Sequence, residues 1–410
     1  MFNINKILKN RRINLLKNLD ENAVVIIATN PEQQRNSDVN YPFRADSNFY
    51  YFTGFCEQNS LMVLSKKEFI IFLQPNDEHA EMWNGRRVGL KNGKIQLNAK
   101  TKDINKIKNT LGKILKKYAR VYFDFANIDT NLLDILTVNK YASLKENIAK
   151  LRVIKDEFEI NLIQQACKIS DKAHIKAMRQ IKNMEFEYQV QSIFDGFFTF
   201  NNASHAYPPI VAAGENSLIL HYQENNQRLD KNDLILIDSG CEYQNYASDI
   251  TRTFPINGKF SNSQKEIYTI VLKAQIEAIK FAKMGESIKK PHKIATEIIK
   301  LGLEKLGILP QNSTKEQLQE FFPHGTSHFM GLDVHDIGEY KVKNEDITLE
   351  KGMVITIEPA IYIAKNVKIA DKYWNIGIRI EDDILITNDK PIVLTKAPKS
   401  INEIENTMQQ

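Results

Sequence analysis

Short runs of apolar residues alternate along this chain with segments whose apolar positions recur every three or four residues, the patterns of buried strands and half-buried helices. Residues 5–19 carry a basic helical pattern, and AVVIIA at 23–28 reads as a buried strand. Further strands are predicted over 60–64, 69–73 and 121–125, and helices over 104–117 and 130–139. The stretch from 30 to 54 is polar, rich in turn residues and too long for an ordinary connection, which makes it a candidate for function. Trp83-Asn84-Gly85-Arg86-Arg87 reads as an exposed loop with a packed indole. Near residue 151 the pattern restarts. Asp156 and Glu159 form a capping box, after which Leu162, Ile163, Ala166, Ile169, Ser170 and Ala173 recur at helical spacing. Tyr207-Pro208-Pro209 cannot be helical, and LILHY at 218–222 reads as a short strand carrying His221. Helices return over 263–283 and 290–306. The pattern gives an α/β chain with a mixed domain over 1–150 and a second domain over 151–410.

Composition narrows the class. A chain of 410 residues, 42% hydrophobic and 26% charged, buries large cores and is neither disordered nor fibrous. Its 55 basic and 50 acidic residues leave +5, spread along the chain, which argues against a nucleic-acid partner. No apolar run approaches the roughly 18 residues of a membrane span, and charges interrupt the basic N-terminus before a signal-peptide core forms. Cys56, Cys167 and Cys241 are widely spaced with no CxxC pair, as expected of free thiols in a reducing cytoplasm, and Cys241 reads as a turn residue.

Candidate chemistry centres on HGTSHFMGLDVHD, which places His324, His328 and His335, three of the eight histidines, within twelve residues. Asp238, Asp249, Glu358 and Glu381 each end or lie within a strand-like run. A hairpin over LILID and SDITRTF, turning at Tyr243-Gln244, would set Asp238 directly opposite Asp249 with β-carbons about 5 Å apart. Charges so placed repel unless a proton or a cation intervenes. Strand alternation puts Thr356 and Glu358 on one face, and Arg379 and Glu381 likewise, with isoleucines on the other. Four carboxylates converging with the His328 imidazole would be balanced by two divalent cations. An oxygen-rich shell with one nitrogen suits manganese, cobalt or zinc and not a closed structural zinc site. Paired metals that activate water and clamp an oxyanion point to hydrolysis.

The order DSG, SDITRTF, HGTSHFMGLDVHD, TIEPAIY and GIRIEDD resembles the aminopeptidase P and prolidase group of metallopeptidases over about residues 151–395. RNSDVNYPFRADSNFYYFTGF at 35–55 and WNGRRVG at 83–89 resemble aminopeptidase P in particular. The resemblance implies a pita-bread (creatinase/aminopeptidase-type) catalytic domain behind an N-terminal aminopeptidase P-type domain. It implies metal ligation by Asp238, Asp249, His328, Glu358 and Glu381, with two divalent ions, manganese foremost, and proton transfer by Glu358. His221, His324 and His335 would bind substrate and stabilise the tetrahedral intermediate, His335 at the scissile carbonyl. Tyr362 and Arg379 would support the site, and Trp83 would reach the pocket of an adjacent subunit in a dimer or tetramer. Ala360 and Phe329 stand where glycine and tryptophan are common. The implied reaction is release of the first residue from peptides with proline at the second position. The alternatives are a prolidase restricted to Xaa-Pro dipeptides, which would share every ligand, a methionine aminopeptidase, which would normally lack so large an N-terminal domain, and a non-catalytic pita-bread binding module, which would usually have lost ligands.

Overall fold

The apolar run Ala23–Ala28 lies inside a six-stranded sheet in the first of two compact units, Met1–Leu151 and Arg152–Gln410. The computed structural model describes residues 2–124, 140–365 and 369–410, so the helix expected over 130–139 lies outside the described residues, as does Phe125. In this sheet Ala23–Ala28 pairs antiparallel with Leu61–Ser65 and parallel with Arg120–Phe123. The 30–54 stretch is more ordered than its composition suggests. It holds a hairpin, Gln34–Asn36 with Val39–Asn40, and a helix, Ser47–Thr53. Asp46 starts that helix by accepting the Phe49 N–H at 2.8 Å, and Gly54, left-handed at φ 63°, ends it. Trp83 lies in a helix, Glu78–Asn84, and not in a loop. Asp77 caps that helix, none of its residues is buried, and the indole is 73% exposed where packing was expected.

The second unit runs twice through a pair of helices and an antiparallel ribbon. Glu157–Gln180, opened by the expected Asp156–Glu159 capping box, and Glu187–Phe200 precede the first ribbon. Asn262–Phe281 and Lys290–Lys305 precede the second. Apolar faces of both ribbons and of these helices merge in one core, with Ile235, Ile237, Val271, Ile299, Ile355 and Ile378 all buried. The sequence 218–222 is not a strand. A 3-10 helix, Gly214–Leu218, leads into a turn, because the buried Glu187 carboxylate gathers Asn216 at 2.9 Å and the Tyr222 hydroxyl at 2.8 Å and folds the segment around itself.

In the first ribbon Leu234–Asp238 pairs with Thr251–Pro255, and Cys241–Tyr243 with Tyr246–Ala247. Cys241 is thus a buried strand residue, not a turn residue. The reversal is made by Gln244 and Asn245, at φ 50° and 65°, two left-handed residues whose backbone twist suits a tight hairpin. That turn lies one residue later than expected, so Asp238 faces Thr251 and not Asp249. Continuing the register sets Asp249 opposite Gly240, where a β-carbon would come within 1.9 Å of the Ser248 carbonyl oxygen. In the second ribbon Val354–Ile357 pairs with Asp382–Leu385 and Ala360–Ile363 with Ile376–Arg379 in one unbroken register, which sets Glu358 opposite Glu381.

Arg252 is fully buried and ties the ribbons together. Its guanidinium donates to the carbonyls of Thr251 (3.0 Å), Glu381 (2.6 Å) and Ala397 (2.9 Å) and to the Asp382 carboxylate (2.7 Å). Asp382 also accepts from Gln275 and Thr395 and pairs with Lys399. Burial works to raise the Asp382 carboxyl, but Arg252 and Lys399 prevail and hold it down at about 2. Asp382→Ala leaves Arg252 charged and uncompensated in the core and is expected to cost about 3–5 kcal/mol of stability in denaturant unfolding. Because the folded value lies below the unfolded value of about 3.9, this contribution is present above pH 4 and fades as pH falls toward 2. The gap between wild type and Asp382→Ala should narrow over that range.

Candidate metal centre

The acids singled out in the sequence sit where the ribbons pause. Asp238 ends a strand, and Asp249, Glu358 and Glu381 each lie between two strand segments. Their side chains turn toward one another across the two ribbons. Asp249, His328 and Glu381 each present a ligand atom within 4.8 Å of the others. His328 Nε2 is 3.3 Å from Asp249 Oδ2 and 3.8 Å from Glu358 Oε1. Its Nδ1 lies 3.0 Å from the Phe329 carbonyl, a bond that orients the ring and turns Nε2 to the acids. Asp238 is joined to Asp249 by the hydroxyl of Tyr207, 2.6 Å from Asp238 Oδ1 and 2.7 Å from Asp249 Oδ1. The other Asp238 oxygen accepts from Arg379 at 2.7 Å, and Glu381 accepts from Thr251 at 2.7 Å.

The electrostatics are those of an acid cluster short of positive charge. Burial first, and then the charges of Asp249, Glu358 and Asp238, push Glu381 well above the ordinary carboxylate range. Glu358 rises to about 7 through burial, with Asp249 and Asp238 adding to it against the opposing charges of His328 and Arg379. Asp238 is raised by burial and by Asp249. Asp249 is the exception, since His328 outweighs burial and holds it low. His328 itself resists burial and climbs to about 9 on its bond to Asp249 and on the charges of Asp249 and Glu358. Carboxylates repelling in a buried site, with one imidazole nitrogen aimed among them, make a donor set that fits divalent cations.

A chain of contacts leads away from the cluster. Arg379 donates to the Tyr362 hydroxyl at 2.8 Å, and that hydroxyl lies 3.0 Å from His324 Nε2. His324 Nδ1 is 3.7 Å from Glu358 Oε2, and burial, then the Arg379 charge, lowers this ring to about 4. His335 is exposed, its ring 4.2 Å from that of His328. His221, also exposed, is near enough for its charge to help lower both His324 and His335. The structure therefore gathers Asp238, Asp249, His328, Glu358, Glu381, His221, His324, His335, Tyr362 and Arg379. Trp83 belongs to the other unit, on its exposed helix.

Two supporting residues escaped the reading of the sequence. Tyr207 showed only as the residue before two prolines, and nothing local marks a hydroxyl that will meet two acids 31 and 42 positions away. Asp383 had a legible signal, two residues beyond Glu381 on the same strand face. Buried, it accepts the Asp249 backbone N–H at 2.9 Å and the Cys167 thiol at 3.3 Å, so it holds a cluster acid by its main chain.

Comparison with known proteins extends these observations. Residues 161–388 match the profile of metallopeptidase family M24, and residues 8–122 that of the aminopeptidase P N-terminal domain. The chain is 41% identical to a Haemophilus influenzae Xaa-Pro aminopeptidase, over 97% of this chain and 96% of that protein. It superposes on Pseudomonas aeruginosa aminopeptidase PepP with TM-score 0.95 at 36% identity, covering 99% of this chain and 98% of that one. Escherichia coli aminopeptidase P with the inhibitor Pro-Leu gives TM-score 0.94 at 35% identity, covering 99% and 98%.

Tyr207 supplies a direct test of the cluster. Tyr207→Phe removes the hydroxyl that fixes one oxygen of each aspartate, and metal affinity should fall roughly 10- to 100-fold with the circular dichroism spectrum unchanged. Calorimetric titration of divalent ions into chelator-stripped protein measures this, and an affinity equal to wild type would reduce the phenol to packing.

Proposed function

The chain belongs to metallopeptidase family M24, and from that premise we propose that Asp238, Asp249, His328, Glu358 and Glu381 hold two divalent ions, manganese foremost, at the centre of an Xaa-Pro aminopeptidase. The enzyme is a metal-dependent hydrolase that removes the first residue of peptides beginning Xaa-Pro. The observation that carries the metal assignment is the convergence of four carboxylates and one imidazole at the pauses of two ribbons. When bound, the ions supply a water of lowered pKa and a positive clamp for the carbonyl oxygen.

The protein side of the reaction rests on proton handling and orientation. A bond to proline has a tertiary nitrogen with no N–H, so its departure requires a proton. Glu358 takes the proton of the attacking water and returns it to that nitrogen. Its edge faces His324, which Tyr362 and Arg379 hold in place, so donor and acceptor stay aligned through the transfer. His324 and His221 border the substrate, and His335 meets the scissile carbonyl, where a neutral donor stabilises the oxyanion. Arg379 keeps a fixed positive charge against Asp238 throughout.

The exposed pair Met82 and Trp83, on a helix with no buried residue, supports association with another copy of the chain. Three free thiols suit a reducing cytoplasm. Among the described residues no helix is long and apolar enough to cross a membrane.

Chelation should abolish activity and manganese should restore it, and Glu358→Gln should lower kcat about 10²- to 10⁴-fold with the fold intact. Full activity of metal-free protein, verified by elemental analysis, would end the metallopeptidase mechanism. Substrate class is decided by parallel assays of Xaa-Pro dipeptides, Xaa-Pro-Xaa tripeptides and tripeptides with alanine in place of proline. Tripeptides should be cleaved well, dipeptides poorly and the alanine peptides hardly at all. Faster cleavage of dipeptides would make the enzyme a prolidase.

A further inference from the structure

His324 borders two spaces. One edge meets Glu358, and the ring also lines a cavity of about 200 Å³ with His292, Thr296, Lys315, Gln319 and Phe322. At about 30 Å³ per water, this is room for one peptide residue and not for a length of chain. The walls come from three pieces of the second unit. Helix Lys290–Lys305 gives His292 and Thr296 one turn apart, the short helix Lys315–Gln319 gives its two ends, and the segment leading to His324 gives Phe322.

The lining has one full charge. His292 is fixed by a 2.8 Å bond between Nδ1 and the Thr326 hydroxyl and packs 5.7 Å from the Phe322 ring. Burial, with the charges of Lys289 and Lys315, lowers its pKa, so the ring is neutral near pH 7. No carboxylate lines the cavity, and among the described residues the Lys315 ammonium has no ion pair. An ammonium without an ion pair, in a wall shared with Phe322 and Gln319, suits an anionic group on a short apolar stem.

Peptide geometry gives that group its identity. His324 belongs both to the cavity wall and to the edge of the acid cluster, 3.7 Å from Glu358, and the residue after the proline lies one step beyond the scissile bond, at most about 3.6 Å further. Resting on the reading of the chain as an Xaa-Pro aminopeptidase, we propose that this cavity is a subsite for a carboxylate on the third substrate residue, with Lys315 as the specificity-determining group. In a tripeptide that carboxylate is the chain terminus, and in a longer peptide it is an aspartate or glutamate side chain. An exposed ammonium meeting one carboxylate is a modest contact, worth a few-fold in KM.

The test compares wild type with Lys315→Gln, a substitution at the exposed end of a short helix, on three substrates: Xaa-Pro-Leu with a free carboxylate, the same peptide as its C-terminal amide, and Xaa-Pro-Asp amide. For wild type the free acid or the aspartyl amide should show a KM about two- to fivefold below that of the leucyl amide, and which one does identifies the source of the carboxylate. Lys315→Gln should erase that advantage, leaving kcat and all constants for the leucyl amide unchanged. Equal KM values for the three peptides in wild type, or a loss shared by the leucyl amide, would overturn the subsite while leaving the aminopeptidase reading in place. Failure of that reading would show differently, as no first residue released from any peptide by wild type, and would remove the subsite with it.

Discussion

Four carboxylates gathered in a buried site around one imidazole set the terms for everything around them. Left alone they would take up protons or spread apart; the fold prevents the second by fixing their main chains, and opposite charge from behind opposes the first, fully only at Asp249. Arg379 stands against Asp238, His328 against Asp249, and the Asp383 carboxylate grips the backbone N–H of Asp249. The isoleucine-lined faces of the two ribbons supply the apolar burial that offsets the cost of assembling such a cluster. The cluster is therefore held together at the expense of local stability, and its repulsion would be relieved by a bound cation.

Arg252 shows how the same strand serves two environments. Along Glu381-Asp382-Asp383 the side chains alternate, so the first and third acids face the cluster and the middle one faces a buried guanidinium on the other side. Arg252 also reaches the carbonyl of Glu381. The position of one cluster acid is thus set by an ion pair that faces away from it, and the carbonyl of Ala397 near the C-terminus joins the same knot.

Much of this was legible in the sequence where the information is local. The apolar run Ala23–Ala28, the Asp156–Glu159 capping box and the helical spacing that follows require no partner to be recognised, and they appear as read. The alternation around Glu358 and Glu381 was visible for the same reason. The register of Asp238 and Asp249 was not, because it depends on which two residues adopt the left-handed conformation, and Gln244-Asn245 carries no glycine to mark the turn. Residues 218–222 look like a strand by composition and are folded otherwise by Glu187, more than thirty residues earlier in the chain. Tyr207 was invisible because its meaning lies wholly in what it meets across the ribbons. Helix Glu78–Asn84 has no buried side at all, which a search for packed residues cannot anticipate.

The two-residue turn at Gln244-Asn245 has a consequence for the length of the ribbon tip. Strand faces alternate with each residue, so losing or gaining a single residue there would slide one arm of the ribbon by one place and rotate Asp249 from the cluster to the opposite side. A single-residue change at this tip keeps Asp249 in the cluster only where the turn itself, or a bulge in the same arm, absorbs it. The solvent-facing end of the ribbon thus bears on which face Asp249 presents, several residues along the chain from the acid itself.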